Sequence, residues 1–130
     1  MRIAAALAVA SVTIVPAHAS TGLACEGVDS DVAVGVVLGA GLIRTPVAAS
    51  LRDVRGERRT VGPGQAPATA LVIGQSWLDG SEFRLDLLDV DARSYEARLR
   101  VRFLREGPTL AVGTLVIGDG QVVEVECREG

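Results

Sequence analysis

Three patterns in the 130-residue sequence predict an all-β fold. It is expected to be one small antiparallel barrel of about eight strands, or a two-sheet sandwich, with its first and last strands adjacent. Apolar and charged residues alternate with period two, turn residues separate the alternating runs, and the two cysteines lie far apart in sequence. Period two puts all the apolar side chains of a strand on one face, whereas a helix would scatter the same positions around its circumference.

The plainest run is Tyr95, Ala97, Leu99, Val101 and Phe103, interleaved with Glu96, Arg98, Arg100 and Arg102. Phe83, Leu85 and Leu87 alternate in the same way with Glu82, Arg84 and Asp86, and Val123, Val125 and Cys127 with Glu124 and Glu126. Upstream, Val32, Val34, Val36 and Leu38 share a face, residues 47–54 and 69–77 read as further strands, and residues 22–26 as a short first one. Asp79-Gly80, Asp89-Val90-Asp91, Gly107-Pro108 and Gly118-Asp119-Gly120 punctuate the runs, as consecutive hairpins require. For the hairpin spanning 82–103, opposite charges should face each other. That favours Arg84 opposite Glu96 and Glu82 opposite Arg98, with a loop at 88–92, over a register that opposes Arg84 to Arg98.

The chain opens with Met1-Arg2, an apolar run from Ile3 to Val15 and an Ala17-His18-Ala19 site, the layout of a secretory signal peptide over residues 1–19. The apolar run is shorter than the roughly 20 residues of a spanning helix, so no membrane-spanning segment is expected. A cut before Cys25 is the alternative. Gly22-Leu23-Ala24-Cys25 loosely resembles a lipoprotein processing site, but Gly22 stands where leucine is wanted. Export to the periplasm or the medium follows, with residues 20–130 as a single β domain. In that oxidising setting Cys25 and Cys127 read as a disulfide that makes the two ends of the domain neighbours.

Composition narrows the chemistry. Every basic residue is arginine, and there is no lysine or asparagine, which points to a GC-rich bacterial genome. Cleavage after Ala19 also removes the only methionine and the only histidine, leaving 12 arginines against 16 acids. No Ser-His-Asp triad, Schiff-base lysine or histidine-ligated metal can be built from such a chain. The acidic balance runs against nucleic-acid binding, and no cofactor or metal site is expected. The glycines from Gly35 to Gly41 lack the lysine of a phosphate loop, and Asp89-Val90-Asp91 lacks the glycine and distal glutamate of a calcium loop.

Residues 56–68 are rich in glycine and proline and read as a long loop, with Arg58 and Arg59 as its candidate interaction residues for a carboxylate or phosphate. Arg98, Arg100 and Arg102 are expected in a ladder with Glu82, Glu96, Glu124 or Glu126. The only aromatics are Trp77, Phe83, Tyr95 and Phe103, and three of them take inward or turn-adjacent positions, which reads as core.

The plan of export signal, hairpins and terminal disulfide resembles small periplasmic β-proteins, among them lysozyme inhibitors, and the stretch 77–127 resembles uncharacterised exported proteins of GC-rich proteobacteria. The inhibitors carry a Ser-Gly loop with a basic residue and a tyrosine nearby. This chain has no Ser-Gly pair, and its Tyr95 lies in a strand, so no functional residue is carried over. The expectation is a non-enzymatic exported domain that binds an envelope or extracellular protein or another envelope component. A small-ligand carrier with an apolar interior and a carboxylate hydrolase are the alternatives.

Overall fold

A computed structural model describes residues 21–40, 44–62, 66–118 and 120–130. The proposed signal segment 1–19 lies outside the described residues. Nine strands form one antiparallel sheet: β1 (Gly22–Gly27), β2 (Ala33–Leu38), β3 (Pro46–Asp53), β4 (Gly56–Arg59), β5 (Leu71–Leu78), β6 (Glu82–Asp89), β7 (Tyr95–Phe103), β8 (Ala111–Ile117) and β9 (Gln121–Glu129). Their order is β4-β3-β2-β1-β9-β8-β7-β6-β5, so the first strand lies between the second and the last. The two edge strands approach through a single parallel bridge, Thr60 to Leu71, which makes the sheet a nearly closed barrel rather than a sandwich. No helix among the described residues is long and apolar enough to cross a membrane, which leaves membrane-spanning strands unaddressed.

Alternation builds the interior. Val34 and Val36 of β2, Phe83, Leu85 and Leu87 of β6, Ala97, Leu99 and Val101 of β7, and Val123, Val125 and Cys127 of β9 are all buried, as their period-two spacing predicts. Full burial of a Phe or Leu side chain contributes about 1.5–3 kcal/mol. Packed against one another, Phe83, Leu51, Leu85, Leu87, Leu99 and Leu115 fill the barrel.

Cys25 and Cys127 face each other directly across β1 and β9, with Cα atoms 4.0 Å apart, and are joined by a disulfide. Both are completely buried. Strand partners continue the row from Ala111 through Cys127, Cys25, Val34 and Leu51 to Arg58, so the bond lies inside the barrel and not on its rim. A cysteine held in this bond is not a site for acylation, so the lipoprotein alternative at Cys25 does not fit the fold.

The register predicted for the hairpin of β6 and β7 is overturned. Glu82 faces Arg102, Arg84 faces Arg100 and Asp86 faces Arg98, and the connection is 90–94 rather than 88–92. The turn sets this alignment, not the cross-strand charges. The Asp89 carboxylate accepts the backbone N–H groups of Arg93 and Ser94 at 2.7 and 3.2 Å, and Ala92 adopts a left-handed φ of 55°. Those bonds outweigh charge pairs worth a few tenths of a kcal/mol each, and the like-charged Arg84 and Arg100 find other partners.

The loop expected at 56–68 is also corrected. Gly56–Arg59 is strand β4, one more than the eight expected, paired with β3 through a two-residue turn at Val54-Arg55. The turn closes because the Asp53 carboxylate accepts the Arg55 backbone N–H at 2.9 Å and Gly56 takes a φ of 101° that a side chain would resist. A glycine-rich, charged segment is a poor central strand but an acceptable short edge.

Two substitutions test this architecture. Replacing both cysteines by alanine should lower stability by about 2–5 kcal/mol, read as a fall in the urea midpoint; an unchanged midpoint would show that the β1–β9 seam holds without the bond. A Cβ at Gly113 would run into the Arg100 carbonyl and the Val101 Cα, because β8 crosses β7 too closely there for any side chain. Gly113→Ala should therefore destabilise by about 1–3 kcal/mol, whereas Gly80→Ala, with open space around it, should not.

Candidate functional site

The two arginines singled out by sequence prove to be strand residues with carboxylate partners. Arg58 faces Leu51 on the inward side of β4 and its side chain is only 11% exposed. It donates to Asp53 Oδ2 and to Glu96 Oε2, each at 2.8 Å, and Arg55 adds bonds to the same two oxygens at 3.3 and 2.8 Å. Four charges thus form one polar plug that joins Arg58, on the inward side of β4, to Asp53 of β3 and Glu96 of β7. Arg59 pairs instead with Glu57 at 3.2 Å on the outer surface. Sequence reasoning missed this because Glu96 reaches the plug through a bulge: Leu87 faces Ala97 but Leu88 faces Tyr95, so Glu96 is an extra residue on β7. The same bulge turns Tyr95 outward, where it is half-exposed and the Arg98 guanidinium stacks 5.0 Å from its ring centre, correcting the inward assignment.

The plug has a defined electrostatic consequence. Burial alone would push the Asp53 carboxyl up, but the Arg55 backbone N–H and the Arg58 charge outweigh it and hold the pKa below 3.8. Hydrogen bonds from Arg58, then Arg55, hold the Glu96 carboxyl below 4.5 against its burial. Neither carboxyl has the raised pKa that a general acid needs.

The outer face of β5, β6 and β7 is different. Ile73 faces Leu87 and Ser76 faces Leu85, so Gly74 and Gln75 together oppose Asp86 in a second bulge. A Cβ at position 74 would press on Leu88 Cδ1 at 3.1 Å and the Asp86 carbonyl at 3.3 Å, which makes glycine the residue that fits. The extra residue reverses the alternation of β5. Ser76 and Leu78 now share the inward face with Leu85 and Phe83, and Trp77 points outward opposite Arg84. Trp77, which an unbroken alternation from Leu71 would turn inward, is 57% exposed. An isolated glycine inside an apolar run is the signal that could have announced it.

Neighbouring groups fix this face in place. The Trp77 indole N–H donates to Asp79 Oδ2 at 3.1 Å, while the other oxygen of Asp79 accepts the backbone N–H groups of Ser81 and Glu82. Those backbone bonds, with smaller help from the Ser81 hydroxyl and the indole, hold the Asp79 carboxyl far below its ordinary pKa. Arg100 donates to Asp86 Oδ1 at 2.7 Å and to the Leu99 carbonyl at 2.8 Å. Asp86 is the buried charged residue among the described residues, so Arg100 and not the expected glutamates is the pairing that matters here. Arg84 reaches Glu82 at 3.0 Å and stays half-exposed. Between them runs a groove of about 360 Å³ lined by Gln75, Ser76, Trp77, Arg84, Asp86 and Arg100.

No family model, no curated protein and no solved structure matches the chain. No group of three or more His, Cys, Asp or Glu among the described residues could hold a metal ion.

The plug predicts acid sensitivity. Its two carboxyls bind protons less readily folded than unfolded, so their contribution is complete above the ordinary values of 3.8 and 4.5 and is lost as pH falls through the lowered folded values. Asp53→Asn should cost about 2 kcal/mol at neutral pH and flatten the loss of stability between about pH 5 and pH 2. Urea unfolding at stepped pH measures both, and a variant with the wild-type slope would detach that loss from the plug.

Proposed function

We propose that this chain is an exported, non-enzymatic binding domain that holds a protein or other envelope component against the outer face of β5–β7. The observation that carries the proposal is Trp77, the only tryptophan of the chain, turned out of the core by a bulge and set opposite Arg84. Tryptophan, tyrosine and arginine are the side chains that dominate binding interfaces, and Trp77, Tyr95, Arg84, Arg98 and Arg100 all belong to this face. A bulge in a strand commonly serves to re-aim one side chain.

Export is supported by the signal-like residues 1–19 and by a disulfide suited to an oxidising compartment. A binding role is supported over the alternatives by the same geometry. A carrier needs room, and the barrel interior is occupied by large aliphatic side chains. A carboxylate hydrolase needs one acid that keeps its proton near neutral pH, and Asp53, Asp79, Asp89 and Glu96 are all shifted the other way.

Immobilised mature domain should retain its partner from an envelope extract, and Trp77→Ala or Arg84→Glu should each weaken retention at least about tenfold. Both side chains are exposed, so thermal midpoints should stay close to wild type. Retention that survives both substitutions would move the binding surface elsewhere.

A further inference from the structure

The groove beside Trp77 also has a chemistry of its own. We infer that it is a subsite for a uronate-type sugar, a pyranose ring carrying a carboxylate, presented by an anionic polysaccharide; this rests on the outer-face binding reading. The groove offers one indole, two guanidinium groups, an amide and a carboxylate within about 360 Å³, near the lower end of ligand-pocket sizes. The polarised C–H groups on one side of a pyranose ring pack on the electron-rich face of an indole. Its carboxylate takes two parallel N–H bonds from a guanidinium, and half-exposed Arg84, directly opposite Trp77, supplies them. Hydroxyl groups of the ring require partners that both donate and accept, which the Gln75 amide provides.

The groups are held in place before any ligand arrives. Asp79 orients the indole, and the buried Asp86 holds Arg100 at 2.7 Å. Fixing the donors in advance removes ordering cost from binding. The bulge also speaks against a peptide at this place. β5 ends the strand order, and an extended peptide could add to it as a further strand, but the extra residue at Gly74-Gln75 interrupts the ladder such a strand would need.

Because Trp77 is the single tryptophan, its fluorescence reports directly on the groove. Mature disulfide-bonded protein is titrated with trigalacturonate, with its methyl ester, with maltotriose and with a short polyglutamate peptide. The expected result is a saturable emission change with trigalacturonate, at least about tenfold weaker binding of the ester and of maltotriose, and about tenfold weaker binding of trigalacturonate by Arg84→Gln at an unchanged thermal midpoint. Calorimetry on Trp77→Ala, which has no reporter, should show the same sugar bound at least about tenfold more weakly. No saturable response up to millimolar trigalacturonate, equal binding of the ester, or a stronger response to polyglutamate overturns the assignment. If the sugar fails while Trp77→Ala and Arg84→Glu still release the envelope partner, the sugar class falls and the binding face stands. If the partner is also retained by both variants, the two readings fall together.

Discussion

The pairing of the first strand with the last is the constraint on which this barrel depends. Every other strand pairs with its neighbour in sequence through a hairpin, and those contacts are local. β1 and β9 must meet across a separation of 102 residues, and the bond between Cys25 and Cys127 ties them at the one place where chain connectivity cannot. Closing so long a loop is the slow and entropically costly step of a β fold. The bond is also in register with the interior row that runs from Ala111 to Leu51, so it sets which faces of β1 and β9 point inward. The sheet then grows outward from that seam in both directions, and its far edges are bridged at Thr60 and Leu71.

A sheet with strict alternation throughout would carry little chemistry, because every apolar side chain would be inside and every charge outside. The departures from alternation are what distinguish this molecule. One extra residue in β7 delivers Glu96 to Arg55 and Arg58 and exposes Tyr95; one extra residue in β5 exposes Trp77 beside Arg100 and the buried Asp86 it pairs with. Both devices are local, and neither disturbs the core beneath them: Phe83, Leu85, Leu87 and Leu99 remain fully buried. The fold supplies a rigid wall, and the bulges decide which residues it displays.

The strands were legible because their signal is simple. Ala97, Leu99 and Val101 had one consistent reading, and the burial of Phe83, Leu85 and Leu87 follows from the same period. The disulfide was legible from cysteine count and compartment. What could not be read were the frame shifts. A bulge needs only one residue, and Gly74 is its only mark in β5; nothing in the letters around Glu96 announces the other. The register of the hairpin between β6 and β7 follows not from its surface charges but from the Asp89 carboxylate, whose bonds to two backbone amides set the turn. The composition of Gly56–Arg59 suits a loop, and its pairing with β3 depends on the conformation of Gly56. For the same reason nothing in the letters marks Arg58 as the centre of an ion network with Asp53, Arg55 and Glu96.

Acrylamide quenching of tryptophan fluorescence in the oxidised mature protein tests the bulge most directly. Ready quenching, close to that of an exposed indole, is the result that follows from an outward Trp77 beside Arg84. An indole as shielded as a core tryptophan would mean that β5 keeps its alternation, and the binding face built on that strand would not exist.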